Sequence, residues 1–244
     1  MAYLKPESII PIQSFEEYIN LISAANTIVD LANVKAITLF RGQANAAWHL
    51  EPRIARKGQD TTFQDREKTL LDEFKRVGRS FIAKEILNDE WDLIALAQHH
   101  GLRTRLLDWS TNPLVALWFA FREDKDLAKR AVWALDLSKD ELAETHIGSP
   151  LSQEKTKAFK PNHITRRITA QSGWFTTHKY VIKKENFVPI DTQLAYVNKL
   201  TRLEFDNDLR DIILNRLDNF GINASSMFPD LDGLTAYLNW SHDK

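Results

Sequence analysis

From Leu114 to Phe121 the chain carries only apolar side chains: Leu-Val-Ala-Leu-Trp-Phe-Ala-Phe. Asn112 or Thr111 ahead of this run is suited to cap a helix, and Pro113 suits its first turn. A helix that is apolar all round has to be buried all round. Any fold for this chain must therefore be built around this segment. Just before it lies the densest set of chemically capable residues in the sequence: Gln98, His99, His100, Arg103, Thr104, Arg105, Asp108, Ser110, Thr111 and Asn112. Leu93 and Leu96 on one side and the apolar helix on the other (Leu114, Val115, Leu117, Phe119) read as core. Polar groups held between core segments are hydrogen-bonded or functional, since stranding one costs about 1–3 kcal/mol. Leu96 to Phe121 reads as one wall of an active or binding site.

The remaining pattern predicts a mixed α+β fold. Residues 1–13 read as an extended arm. Ser14 with Glu17 three residues on has capping-box spacing and starts a helix, which the apolar periodicity of Phe15, Tyr18, Ile19, Ile22, Ile28 and Val29 carries to about Asn33. Ala36–Arg41 reads as a strand followed by Gly42, which permits a turn or a close approach to a ligand. Residues 64–86 predict one long amphipathic helix, with Glu67 and Glu73 solvated or paired. A second helix runs from Asp89 to His100 and ends at Gly101. Ala131–Leu137 is a buried strand, with short helices expected near 138–144 and 152–158. Residues 164–170, 180–183 and 187–190 read as further strands. Asp191 or Thr192 begins a helix reaching about Leu200. A helix over 206–220 is stopped by Gly221. A last helix, opened by Phe228-Pro229-Asp230, is expected to dock Leu234, Tyr237, Leu238 and Trp240 on the core. The fold class is α+β: a single domain with a mostly antiparallel sheet of modest size surrounded by many helices. Residues 1–35 form an arm and helix packed on a domain spanning 36–244.

Composition removes several function classes. The net charge is −1, so there is no bulk basic field for nonspecific nucleic-acid binding. The absence of cysteine removes disulfides and thiolate metal sites and suits a reducing cytoplasm. No apolar run approaches the roughly 20 residues that a membrane span needs, and the first residues lack a signal-peptide core. His99 and His100 are adjacent, so on a helix they point about 100° apart. The i, i+4 pairing that makes a helical metal site is missing. No metal is expected, and a hydrogen-bonding or acid–base role for one of the two histidines is favoured. Arg41, a charge closing a buried strand just before Gly42, is a functional candidate, with a surface ion pair as the plainer alternative. Arg105 and Asp108 are also the right types for a buried ion pair. Thr111, Asn112, Ser110 and Asp108 can equally be caps of the apolar helix.

Several motifs resemble the FRG-domain family, named for its Phe-Arg-Gly motif. They are Phe40-Arg41-Gly42-Gln43, Trp48-x-Leu50-x-Pro52, Ala97-Gln98-His99-His100-Gly101-Leu102-x-Thr104-Arg105-Leu106-Leu107-Asp108-Trp109 and Asn112-Pro113-Leu114-x-Ala116-Leu117-x-Phe119-Ala120. Arg167-Ile168-x-Ala170-Gln171-x-Gly173-x-Phe175-Thr176 and Phe228 to Leu234 extend the resemblance to about residue 240. Arg103 stands where the family commonly has Pro. A more distant resemblance is to ADP-ribosyltransferases of the Arg-Ser-Glu class. Arg41-Gly42 resembles their first element and Trp109-Ser110-Thr111-Asn112 their second. Gln171 falls in the order of the third, where that class has Glu.

This resemblance implies an NAD-dependent ADP-ribosyltransferase with an ADP-ribosyltransferase-like fold, acting as a toxin or antiviral effector on nucleic acid or protein, with an antitoxin as a further partner. Arg41 would hold NAD phosphate or ribose and Ser110 would orient the site. Asp108 or Gln171 would hold the ribose, with Glu204 as a more distant source of the negative charge that Gln lacks. Trp109 or Phe175 would stack, and His99 or His100 would deprotonate the acceptor. Gly42, Gln43, Gln98, Thr104, Arg105 and Asn112 complete the expected NAD-binding set. Two other classes remain open at this point: a noncatalytic nucleotide or nucleic-acid recognition module that stacks bases on Trp109 and Phe175, and a hydrolase or nuclease using Asp108 with a histidine.

Overall fold

The computed structural model describes residues 9–24, 36–56, 63–123, 129–162, 165–179, 182–183 and 186–243. In chain order these form β1 (Ile9–Ile12), α1 (Phe15–Ala24), β2 (Ala36–Gln43), α2 (Phe63–Val77), α3 (Lys84–Leu87), α4 (Glu90–His99), β3 (Leu106–Ser110), α5 (Pro113–Phe121), β4 (Lys129–Ser138), β5 (Lys157–Phe159), α6 (Arg166–Ala170), β6 (Gly173–Thr177), β7 (Ile182–Lys183), β8 (Asn186–Phe187), α7 (Leu194–Val197), β9 (Leu200–Asp206), α8 (Arg210–Asn219), α9 (Ala224–Met227) and α10 (Leu231–His242). Seven strands make one sheet in the order β1-β9-β4-β2-β3-β6-β5, and β7 and β8 form a separate ribbon. Within the sheet, β1 and β9 run parallel and every other neighbouring pair is antiparallel. This is the expected α+β class with a mostly antiparallel sheet. The extended arm supplies an edge strand of that sheet.

Helix α5 lies at the centre, as its composition requires. The Asn112 side chain accepts from Leu114 N–H at 2.9 Å and Pro113 follows, so the predicted start is correct. Its apolar surface packs on Phe40 of β2, Val132 and Ala134 of β4, Phe205 of β9, Tyr18 of α1 and Leu214 of α8. Its C-terminal carbonyls would be stranded there, and the fully buried Arg130 satisfies them. This guanidinium donates to the Ala120 carbonyl at 2.7 Å and to the Glu123 carbonyl at 3.0 Å. A cation is favourably placed at that end of a helix.

Gly42 is what lets α5 approach the sheet. It continues β2 as a strand residue and makes no turn. A Cβ there would sit 2.0 Å from the Ala116 carbonyl oxygen and 2.5 Å from Ala120 N, both helix backbone atoms that cannot rotate away. Gly42→Ala is expected to destabilise the fold by about 3 kcal/mol or more, the upper range for overpacking. Urea unfolding of the variant measures it.

The sheet is joined at its middle by a single register pair, Phe40↔Ser110. On one side of that seam β2 pairs with β4 along its whole length. On the other, β3 pairs with β6 along its whole length. The two halves splay from one contact, and the gap between them is where the polar segment of the sequence comes to lie.

Several expectations need correction. The long helix stops at Val77, and a 3₁₀ turn follows. Phe81 beyond it is 89% exposed, so no core rewards continuation. Residues 166–170 are helical, although their β-branched residues suggested a strand; the Thr165 side chain caps the helix by accepting from Ile168 N–H at 3.2 Å. Residues 157–159, expected at the end of a short helix, form edge strand β5. Strand β9 went unrecognised. On α10, Leu231, Leu234 and Leu238 are exposed, and Trp240 is the expected residue that packs on the core. The predicted end of the first helix near Asn33 lies outside the described residues.

Candidate active site

The gap between β2 and β3 opens into a cleft of about 890 Å³, within the range of small-molecule sites. Arg41 leaves β2 just past the Phe40↔Ser110 pair. Beyond that pair the Asp108 carbonyl has no partner on β2, and Arg41 Nη1 donates to it at 2.6 Å. The same nitrogen lies 3.6 Å from Asp108 Oδ2. The Arg41 side chain is only 14% exposed. Its Nε is buried with no hydrogen-bond partner among the described residues. The Asp108 side chain is 61% exposed, although Leu106, Leu107, Trp109 and Ser110 around it in β3 are all buried.

A short relay fixes the Asp108 carboxylate. Leu106 N–H donates to Thr104 Oγ1 at 3.2 Å, and that hydroxyl donates to Gln98 Oε1 at 2.6 Å. The amide is thereby oriented, and Gln98 Nε2 donates to Asp108 Oδ2 at 3.2 Å. Helix α4 supplies Gln98 and His99 because Asp89 caps its start and it is buried from Trp91 to Ala97. Thr104 does not line the cleft; it positions the residue that positions Asp108.

The surrounding charge is strongly positive. Arg41, Arg53, Arg56, Arg122 and Arg167 line the cleft, against Asp108 and Glu123. Burial lowers the pKa of Arg41, and Asp108 opposes the shift. Burial also lowers Arg56 and Arg167, the latter further through Arg122. All remain charged, so an anion entering the cleft relieves both crowding and desolvation. Burial, then Arg167 and His100, pull His99 down to about 4. His99 is thus neutral at pH 7, an acceptor for hydrogen bonds and a poor proton sink. His100 stands at the cleft rim, exposed.

Other expected site residues are committed elsewhere. Ser110 Oγ donates to the Gln171 carbonyl at 2.7 Å and accepts from Asn112 N–H at 2.9 Å. Gln171 is the C-cap of α6, not the end of a strand, and its amide donates to the Met227 carbonyl at 3.0 Å. Both line the cleft with Arg41, but their hydrogen bonds tie the segments of the cleft wall together. Gln43 is buried and accepts from Trp133 Nε1 at 2.7 Å. Gly42 serves α5. Trp109 and Phe175 are 4% exposed and packed in core clusters, so neither offers a face for stacking. Trp48, 46% exposed on the cleft wall, does. Asn112 is the cap of α5 and lies outside the lining. Arg105 also lies outside it and pairs with the buried Glu67 at 2.7 Å, not with Asp108. Glu204 pairs with Arg202 at 2.8 Å, away from the cleft. Arg122 and Arg167 were missed as site residues. A charge directly ending the apolar helix was an available signal for Arg122; Arg167 was obscured by the strand expectation. Among the described residues no group of three His, Asp or Glu side chains is arranged to hold a metal ion.

Behind the cleft, His178 is fully buried between two threonines. Trp109 Nε1 donates to Thr176 Oγ1 at 2.8 Å, and the same hydroxyl is hydrogen-bonded to His178 Nε2, also at 2.8 Å. The Nδ1 side of the ring faces the Thr156 hydroxyl at 3.5 Å. Burial, then Arg41 and Arg105, hold its pKa down to about 3. The unfolded chain takes up this proton below about pH 6.5, and the folded chain resists until about 3. Stability is thus complete above 6.5 and lost as pH falls toward 3. From this group alone the loss between pH 7.5 and 5.0 is about 2 kcal/mol. Urea unfolding at the two pH values should show that difference shrinking by the same amount in His178→Gln; an unchanged difference would assign the acid sensitivity elsewhere.

Residues 36–129 match the family model described as the FRG domain. The match begins at β2 and ends at the start of β4, so it contains Arg41, Gln98, His99 and Asp108. No curated protein and no solved structure matches the chain.

Proposed function

We propose that this chain, which carries an FRG domain over residues 36–129, is an NAD-dependent ADP-ribosyltransferase. The observation that carries the reading is an open carboxylate, Asp108, held beside the buried Arg41 guanidinium in a cleft otherwise rich in arginine. The arginines suit a diphosphate, which they bind through charge-assisted hydrogen bonds. The carboxylate suits the positive charge that grows on a ribose as its bond to nicotinamide breaks. In that step the C1′–N bond cleaves with its electron pair going to nicotinamide. A lone pair of the acceptor then closes on C1′, and the acceptor's proton passes to His100 at the rim or to water. Arg41 and Asp108 keep their expected roles. The orienting role expected of Ser110 passes to Gln98, and Asp108 replaces Gln171 at the ribose. The acceptor is nucleic acid or protein, and the biological setting is that of a toxin or antiviral effector.

Nicotinamide release from labelled NAD, with and without cell lysate, tests the reading. Release is expected, and Arg41→Ala should abolish it. A second reading has its own support: Ser110 and Gln171, two members of the Arg-Ser-Glu constellation, are spent on structural hydrogen bonds. A noncatalytic module that recognises nucleotides would bind ADP-ribose with no release under any of these conditions, and that result would replace the transferase reading.

A further inference from the structure

A second cavity, of about 440 Å³, adjoins the cleft and shares Arg122, Glu123 and Arg167 with it. Its character is different. Trp118, Phe228, Tyr237 and Trp240 line it, on α5, the segment before α10, and α10 itself. The shared boundary is a stack: the Arg167 guanidinium sits 4.0 Å from the Phe228 ring centroid and that of Arg122 5.3 Å from it. A guanidinium held against an aromatic ring keeps its N–H donors available for a further partner. Arg167 makes no hydrogen bond or ion pair among the described residues, and Arg122 has only Glu123, at 3.7 Å. The Tyr237 hydroxyl likewise has no partner there.

We infer that the two cavities are compartments of one site, and that the second takes the adenylate half of the dinucleotide. The Arg122–Phe228–Arg167 stack holds the phosphate and the aromatic cavity holds the base. The inference rests on the transferase reading for the identity of the dinucleotide. Its chemistry, a phosphate carrying an aromatic heterocycle, is argued from the cavity alone. The cavity is mixed in charge, with Arg122, Arg167 and Arg210 lining it against Glu123, Asp230 and Asp232; it is the two guanidinia at the boundary with the arginine-rich cleft that favour an occupant carrying an anion at that end over an apolar peptide or a lipid tail. A base stacked on aromatic faces and tethered to a phosphate satisfies both walls at once.

Binding of AMP and of ribose 5-phosphate to the full chain, by calorimetry, tests this without any turnover. AMP is expected to bind at least tenfold more tightly, since only it fills the aromatic cavity. Ala236, exposed on α10, lines the cavity. Ala236→Trp should fill the space and bring AMP affinity down to that of ribose 5-phosphate, which should itself be unchanged. Arg167→Gln should weaken both ligands at least fivefold. Equal affinities for the two ligands, or AMP binding unaltered by Ala236→Trp in a chain of native circular dichroism, would overturn the inference. Failure of nicotinamide release leaves these binding results standing. Failure of AMP selectivity leaves NAD cleavage, where it is observed, unexplained only in the placement of adenine.

Discussion

Asp108→Asn is expected to slow NAD cleavage by about 10²–10³-fold, the range seen when one electrostatic stabiliser of a transition state is removed. The substitution is nearly isosteric, and the Arg41 bond to the residue's main-chain carbonyl does not depend on the side chain. The Asn oxygen can still accept from Gln98, so the relay through Thr104 survives. What is lost is one negative charge, which on the proposed mechanism lies where the ribose becomes positive. The same loss makes the cleft more positive for the bound ligand. ADP-ribose affinity should therefore stay level or rise while kcat falls, a split that a merely structural role for Asp108 would not produce. Steady-state nicotinamide release and ADP-ribose calorimetry on the same preparation measure the two halves. Turnover within threefold of the wild type would remove Asp108 from the chemistry.

The second large effect is on stability. Glu67 on α2 is 1% exposed and accepts from both the Arg105 main-chain N–H and its Nε; Arg105 Nη1 also donates to the Leu151 carbonyl at 2.9 Å. This pair clamps α2 to the entry of β3, at the residue immediately before the strand that carries Asp108. Glu67→Ala leaves a guanidinium in the core without its carboxylate, which costs about 3–5 kcal/mol. For a chain of this size that corresponds to a fall in Tm of roughly 10 °C. Replacing both residues with Met removes the charge together with its partner and should recover most of the loss. Thermal unfolding of the single and double variants checks this; a double variant no better than Glu67→Ala would mean that the pair's hydrogen bonds to the backbone matter more than its charge.

How much was legible in the sequence follows the range of the signals. Helix α5 and its Asn112-Pro113 start could be read because both depend on residues within one or two turns. The same holds for the Asp89–His100 helix, the burial of β4 and the end of α8 at Gly221. The candidacy of Arg41 and Asp108 was readable from a charge placed against apolar neighbours. Strand β9 was missed although Leu203 and Phe205 alternate with Arg202 and Glu204, because helices expected on both sides left it looking like a connection. Residues 166–170 were misread because β propensity is a weak prior that one capping hydroxyl overrides. Glu67 on a charged helix read as solvated or paired with a nearby Lys or Arg; its burial came with Arg105, which arrives from another element.

By itself the sequence determined that a wholly apolar helix would form a centre, that a mostly antiparallel sheet of modest size would be surrounded by helices, and that the polar knot ahead of the apolar helix would face something other than bulk core. Local spacing and hydrophobicity are enough for that. Tertiary structure decided which polar residues remain free to act. Arg105, Ser110, Gln43 and Gln171 find hydrogen-bond partners on other elements, Asn112 caps its own helix, and all five are consumed by the fold. Asp108, Arg167 and His99 keep their functional groups toward the cleft. The division depends on where the sheet splays, at the lone Phe40↔Ser110 pair, because a backbone left without a strand partner draws in Arg41 and opens the space around it. Hydrogen-bond satisfaction is a property of the whole packed chain, so residues of the same chemical type, a few positions apart, end as scaffold or as site.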